Sequence, residues 1–171
     1  MESDRVAVEP ATRSRDLAFV RLADAHLDAS YRLATAILGN RSDAEDATHD
    51  ALVTAWRRWG QLRDPDRFEA WFHRILINAC RDRLRRQARR QTADLSDELA
   101  GHGDQTSGVD DRDQIRRAMA RLSADHRIVV TLRFFADLPI DEIARRVGVP
   151  SGTVNSRLHH ALRELRRGVD Q

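Results

Sequence analysis

A chain of 171 residues has room for one domain or two small ones, and none of its apolar runs, Ile75-Leu76-Ile77 among them, approaches the ~20 residues that span a bilayer. The single Cys80 rules out an intramolecular disulfide and a cysteine-rich zinc site, and the start of the chain, with Glu2, Asp4 and Glu9, lacks the apolar core of a signal peptide. A net charge of +2 conceals a strong bias: all 29 basic residues are arginine, whose planar donor fork fits phosphates and guanine edges. A soluble, cytoplasmic chain is the expectation.

Residues 1–13 are polar, aperiodic and interrupted by Pro10, the pattern of a disordered tail. From Ser14 to Leu38 apolar residues return at helical spacing (Leu17, Val20, Leu27, Tyr31, Ala34, Leu38), and Gly39-Asn40 supplies a stop. Ser42-Asp43-Ala44-Glu45 reads as a capping box with serine at the cap. The helix it opens carries Ala44, Ala47, Ala51, Ala55 and Trp59 on one stripe and ends near Gly60. Asp64-Pro65 then predicts a third helix, with aspartate as cap and proline in the first turn. Its apolar stripe is Phe68, Trp71, Phe72, Ile75, Leu76, Ala79 and Leu84.

The opposite face of that third helix holds Arg67, Arg74, Asn78, Arg81 and Arg85, at spacings that keep them aligned through about five turns. Over residues 65–90 eight arginines stand against three acids, so this face is a net cation. Cations beside a flat ring suit an unpaired nucleic-acid strand, and Trp71 or Trp59 offers the ring. The plainer alternative is a solvated basic face over core tryptophans.

Residues 91–113 carry seven acids, one base and three glycines and few large apolar side chains, which predicts a flexible acidic linker. Such a linker is expected to leave the flanking domains, 14–90 and 114–171, loosely related. In the second domain Ile115, Met119 and Leu122 mark a helix, and Ser123 caps another through Ile128, Val129, Leu132 and Phe135.

Residues 139–167 have the pattern of a helix-turn-helix. Ile140, Ile143, Ala144 and Val147 share one side of a short helix, Gly148 permits a sharp turn, and Val154, Leu158, Ala161, Leu162 and Leu165 face inward on the next. In such motifs the second helix enters the major groove. Its outward residues are Gly152, Thr153, Asn155, Ser156, Arg157, His159 and His160. Asparagine can pair with adenine, arginine with guanine, and a threonine methyl can meet that of thymine. The alternative is a helical hairpin that serves packing alone.

These two signals, in this order, resemble the extracytoplasmic-function (ECF) sigma factors. The first domain has Asp43-Ala44-Glu45-Asp46, then Ala55-Trp56-Arg57, then Trp71, Ile75, Asn78, Asp82 and Arg85 in the family's spacing. The second has Glu142-Ile143-Ala144 before the turn and Gly152-Thr153-Val154-Asn155-Ser156-Arg157-Leu158 after it. The resemblance covers roughly residues 15–167. It departs from the family at His49 (commonly Gln), Pro139 (a capping Ser), Asn155 (often Lys) and His160 (often Arg).

The resemblance implies an all-α protein of two small domains that binds core RNA polymerase and promoter DNA, with an anti-sigma factor as a further candidate partner and no cofactor or metal. Asp46, His49 and Asp50 would dock on the polymerase. Arg67, Trp71, Arg74, Asn78, Arg81 and Arg85 would read and melt the −10 element, and the helix-turn-helix residues would read the −35 element. The two elements lie about two helical turns apart, about 70 Å, within reach of a 23-residue extended linker, which spans on the order of 75 Å.

Two rival readings use the same residues. An enzyme is not expected, because His73 and Cys80 lack an oxyanion donor or third group, and adjacent His159 and His160 have the wrong spacing for a metal on one helix. A repressor would couple the helix-turn-helix to a receiver or ligand domain, and residues 15–90 show no β–α alternation. No sizeable domain is expected beyond Arg167.

Overall fold

The computed structural model describes residues 10–97 and 111–169, and among them every regular element is helical. Three helices form the first group: α1 (Pro10–Leu38), α2 (Arg41–Arg58) and α3 (Phe68–Asp97). Four form the second: α4 (Asp111–Arg121), α5 (Ala124–Phe134), α6 (Ile140–Val147) and α7 (Ser151–Val169). Short 3-10 turns, Trp59–Gln61 and Pro65–Arg67, connect α2 to α3.

Several boundaries differ from the sequence expectations. Helix α1 opens at Pro10, inside the expected tail, because proline is tolerated in a first turn. Helix α3 runs into the acidic segment as far as Asp97, and α4 opens at Asp111; residues 1–9 and 98–110 of the expected tail and linker lie outside the described residues. Helix α2 is capped by Asn40, not Ser42: the Asn40 side chain accepts from the Asp43 amide at 2.8 Å. Asp64 does accept from the Asp66 amide at 3.1 Å, but it caps the 3-10 turn ahead of α3. Ser123 caps α5 as expected, accepting from the His126 amide at 3.2 Å.

The inner face of α2 is built from Ala44, Ala47, Ala51 and Ala55, all fully buried. Side chains this small let α1 and α3 approach closely on either side. Helix α3 fills the space with Phe68, Phe72, Leu76, Ile77, Cys80 and Leu84. Each fully buried ring of this kind stabilises the fold by about 1.5–3 kcal/mol. An aromatic group of Phe19, Trp59, Phe68 and Trp71 closes one end, and the Trp59 indole donates to the Arg15 carbonyl at 3.0 Å.

Helix α1 is turned relative to the expected stripe. Phe19 and Ala23 face the core, while Leu17 and Val20 are more than half exposed. At 100° per residue Leu17 lies nearly opposite Phe19, and the larger ring, set edge-on to Trp59 and Phe68, fixes the phase.

In the second group α5, α6 and α7 bury Ile128, Val129, Leu132, Ile143, Val147, Val154, Leu158 and Ala161. Gly148 ends α6 at φ +78, the left-handed conformation that a sharp helix stop requires, and its amide closes on the Ala144 carbonyl at 2.9 Å. Arg127 reaches back to cap α4, donating to the Met119 and Ala120 carbonyls at 2.9 and 2.7 Å.

The two groups pack directly on each other. Helix α3 lies against α5 and α6, and α1 touches α5. The buried apolar residues of both groups, from Phe19 to Ala161, form one continuous cluster. Loosely related domains were expected from an acidic linker; apolar burial and ion pairs across the contact overrule that local signal.

Candidate nucleic-acid interface

The basic face of α3 exists as a surface. Arg67, Arg74, Asn78 and Arg85 are exposed and Arg81 is half-buried. Asn78 does not stand alone: its Oδ1 accepts from Arg81 Nη1 at 2.8 Å, which fixes both side chains one turn apart. Trp71 is half-buried, packed against Trp59 and Phe68 with ring centroids 6.5 and 5.9 Å away. Trp71 thus keeps part of its surface accessible while the core holds the ring. Trp59 is buried and is a core residue, so of the two rings only Trp71 remains available to a strand.

On α7, Gly152, Asn155, Ser156, His159 and His160 are exposed, while Thr153 and Arg157 are half-buried. The first turn is anchored to α6, since Ser151 Oγ donates to Asp141 Oδ1 at 2.7 Å. Farther along, the His160 ring stacks on His126 at 6.4 Å, and His126 Nδ1 lies 3.4 Å from Glu164. Helix α7 is thus tied to α6 at its first turn and to α5 farther along, with short polar side chains at its front.

Asp46, His49 and Asp50 are exposed on α2. Two of them are held by a residue that the stripe on α3 does not include: Arg83 lies 3.0 Å from Asp46 and 3.6 Å from Asp50, and 3.0 Å from Asp43. The Asp43 carboxyl sits below its ordinary range, chiefly because Asn40 hydrogen-bonds to it, with Arg83 and Gln87 adding to the effect. Arg83 therefore sets the spacing of the acidic row on α2. Its place between the polar and apolar faces of α3 is the one hint the sequence carries.

Two contacts between the groups escape sequence reasoning altogether. Asp125, in the first turn of α5, accepts from Arg81 Nε at 3.0 Å, from Arg85 Nη2 at 3.4 Å and from Arg157 Nη2 at 3.2 Å. Arg146 of α6 is buried; it donates to Glu142 at 2.7 Å, lies 3.5 Å from Glu69 and meets His73 Nδ1. Burial and the Arg146 charge hold the His73 pKa down at about 4. Neither residue signals this in sequence, because an acid in a first turn and a base in a last turn are what the helix dipole favours anyway.

Cys80 is buried, and desolvation pushes its thiol up to about 12, so it packs as a small apolar residue. No group of three or more potential metal ligands exists among the described residues. No described helix is long and apolar enough to cross a membrane.

Comparison with known proteins agrees with this layout. Residues 22–90 match the sigma-70 region 2 family and residues 112–165 match sigma-70 region 4. The ECF RNA polymerase sigma factor SigM of Mycobacterium tuberculosis is 37% identical over 150 residues, 88% of this chain and 76% of that protein. SigL of the same organism is 33% identical, with 85% of each chain covered, and the sigma factor SigV of Bacillus subtilis is 31% identical over 82% of this chain and 84% of its own. Among solved structures, RpoE of Bartonella quintana, crystallised with the anti-sigma factor NepR, superposes with a TM-score of 0.66 over 89% of this chain and 96% of RpoE, at 23% identity. CnrH in complex with the cytosolic domain of CnrY gives 0.61 at 26% identity, over 89% and 87% of the two chains. With both sigma-70 regions matched and relatives above 30% identity along most of its length, the chain belongs to the ECF family of RNA polymerase sigma factors, which bind core polymerase and direct transcription initiation at promoters.

Proposed function

We propose that the labour is divided between the two helical groups of this cytoplasmic factor as follows. Asp46, His49 and Asp50 on α2 dock on core polymerase. Arg67, Trp71, Arg74, Asn78, Arg81 and Arg85 on α3 take the unpaired −10 strand, with arginines on phosphates and the accessible part of Trp71 against a base. Gly152, Thr153, Asn155, Ser156, Arg157, His159 and His160 on α7 meet the −35 duplex, Asn155 and Arg157 reading base edges. The observation that carries this reading is the exposed cationic edge of α3, where Arg67, Arg74 and Arg85 flank Asn78, whose Oδ1 accepts from Arg81.

Run-off transcription with core enzyme tests it. Asn78→Ala lowers open-complex formation while closed binding stays within about twofold, whereas Arg157→Ala weakens dependence on the −35 sequence, at about 1–3 kcal/mol per lost bidentate base contact. Equal loss of closed binding in Asn78→Ala would overturn the assignment. A third partner is an anti-sigma factor, a reading supported by the fold shared with RpoE, which was crystallised with the anti-sigma factor NepR. A soluble partner of that kind abolishes run-off when added before core polymerase.

A further inference from the structure

Three of the chain's seven histidines meet at one place, where α7 packs on α5. His160 of α7 lies nearly parallel to His126 of α5, with ring centroids 6.4 Å apart, and His159 is set edge-on to His160 at 5.8 Å. Glu164, one turn past His160, comes within 3.4 Å of His126 Nδ1. His126 is half-buried, whereas His159 and His160 are exposed on the surface assigned above to the −35 duplex.

The charge of that surface depends on these rings. From Ser151 to His160 the one other basic residue is Arg157, and it is turned in to Asp125 at 3.2 Å. The exposed front, Gly152, Asn155 and Ser156, carries no charge. Histidine is the side chain that changes charge between about pH 5 and 8. With neutral rings this stretch offers a phosphate hydrogen bonds alone; with protonated rings it offers two cations. Like charges on neighbouring rings repel, and a nearby anion, whether carboxylate or phosphate, offsets that repulsion. Glu164 is the carboxylate that reaches a ring nitrogen. The other charged groups on this side are Arg163 on α7, Asp125 on α5, already held by arginines, and Asp141 of α6, bonded to Ser151. Helix α4 packs Ala118 on Gly168 and carries Arg117 and Arg121 within a turn of that contact.

We propose that His159 and His160 are proton-gated phosphate contacts. Each takes up a solvent proton as α7 meets the −35 duplex, Glu164 supports that charge through His126 as a positioning residue, and promoter affinity rises as pH falls. The proposal rests on the placing of α7 on the −35 duplex. Proton uptake and affinity are linked: a proton held more tightly on DNA by one pKa unit is worth a factor of up to about ten.

The test uses the full chain bound to core polymerase and measures closed-complex affinity for a −35-containing duplex between pH 8 and pH 6 at fixed salt. Over that range the parent gains about fivefold more affinity than the double variant His159→Gln, His160→Gln, a comparison that cancels titrations belonging to polymerase. His160→Arg, whose charge is fixed, binds more tightly than the parent at pH 8 and within about twofold of it at pH 6. Glu164→Gln keeps the size of the side chain and moves the rise in affinity to lower pH, a shift of midpoint that a purely structural role does not produce. His159, His160 and Glu164 all lie at the surface, so these variants leave the core intact. Identical pH profiles for the parent and the double variant, or a His160→Arg protein no tighter than the parent at pH 8, would overturn the proposal. Changing the −35 bases separates this from the placing of α7. If the parent still discriminates −35 sequences while its pH profile matches that of the double variant, the proton gate alone falls; if no −35 base matters, the placing of α7 falls with it.

Discussion

His73 and Arg146 meet where α3 and α6 cross, and their contact makes stability depend on pH. In the unfolded chain His73 gains its proton near 6.5; in the folded chain burial and Arg146 delay this to about 4, with Glu69 and Glu142 opposing them and His26 assisting. The folded state therefore binds fewer protons between those values, so stability is complete above about pH 6.5 and declines as pH falls toward 4. The full gap is worth on the order of 3 kcal/mol. Glu142 and Asp43, both held below their ordinary values by arginine and amide partners, add their own losses only at lower pH. Urea unfolding at pH 7 and pH 5 checks this: the parent loses about 2 kcal/mol more between the two than His73→Gln does. Parallel losses in both proteins would show that His73 does not titrate this way.

Among elements, α2 shows what sequence patterning leaves open. Both Asn40 and Ser42 are good caps, and the alanine stripe is compatible with either start. The outcome was decided by Gly39, whose φ of +78 ends α1 and delivers Asn40 in extended geometry with its oxygen on the Asp43 amide. Asn40→Ala should lower stability by about 1 kcal/mol, and Ser42→Ala by no more than a few tenths. Thermal unfolding of the two variants distinguishes the caps; a larger cost at Ser42 would restore the capping box. Helix α1 illustrates the same point for phase. Leu17, Val20 and Phe19 are all apolar within four residues, and only the ring contacts of Phe19 with Trp59 and Phe68 select the buried side.

For the whole molecule, the charges at the front of α7 bear on how the factor finds a promoter. Asn155 and His160 stand exposed on α7 without the fixed charge of a lysine or arginine, so in the proposed contact with the −35 duplex they would neutralise fewer phosphates. Each phosphate contact contributes about 0.9 to the log–log dependence of affinity on salt. Asn155→Lys in the holoenzyme should steepen that dependence by about 0.9, measured on a −35-containing duplex. No change in slope would mean that position 155 faces away from the backbone. The closed packing of the two groups is a separate whole-molecule property, in which Asp125 of α5 gathers Arg81 and Arg85 of α3 and Arg157 of α7 on one carboxylate.

Helical class, the αL turn at Gly148 and the outward placing of Gly152, Asn155, Ser156, His159 and His160 on α7 were legible in the chain, because helix period, glycine geometry and capping chemistry act over a few residues; Arg157, expected outward as well, is turned in to Asp125. The basic face of α3 was legible for the same reason, as spacings of three, four and seven keep side chains on one side. What tertiary structure alone decided was every relation between residues distant in sequence: Arg83 with Asp46 and Asp50, Arg146 with His73, and Asp125 with Arg81, Arg85 and Arg157. Ion pairs carry no periodic mark, and an acid or a base at a helix end is favourable whether or not a partner waits across the fold. The direct packing of the two groups was hidden too, since an acidic spacer says nothing about the apolar faces it brings together.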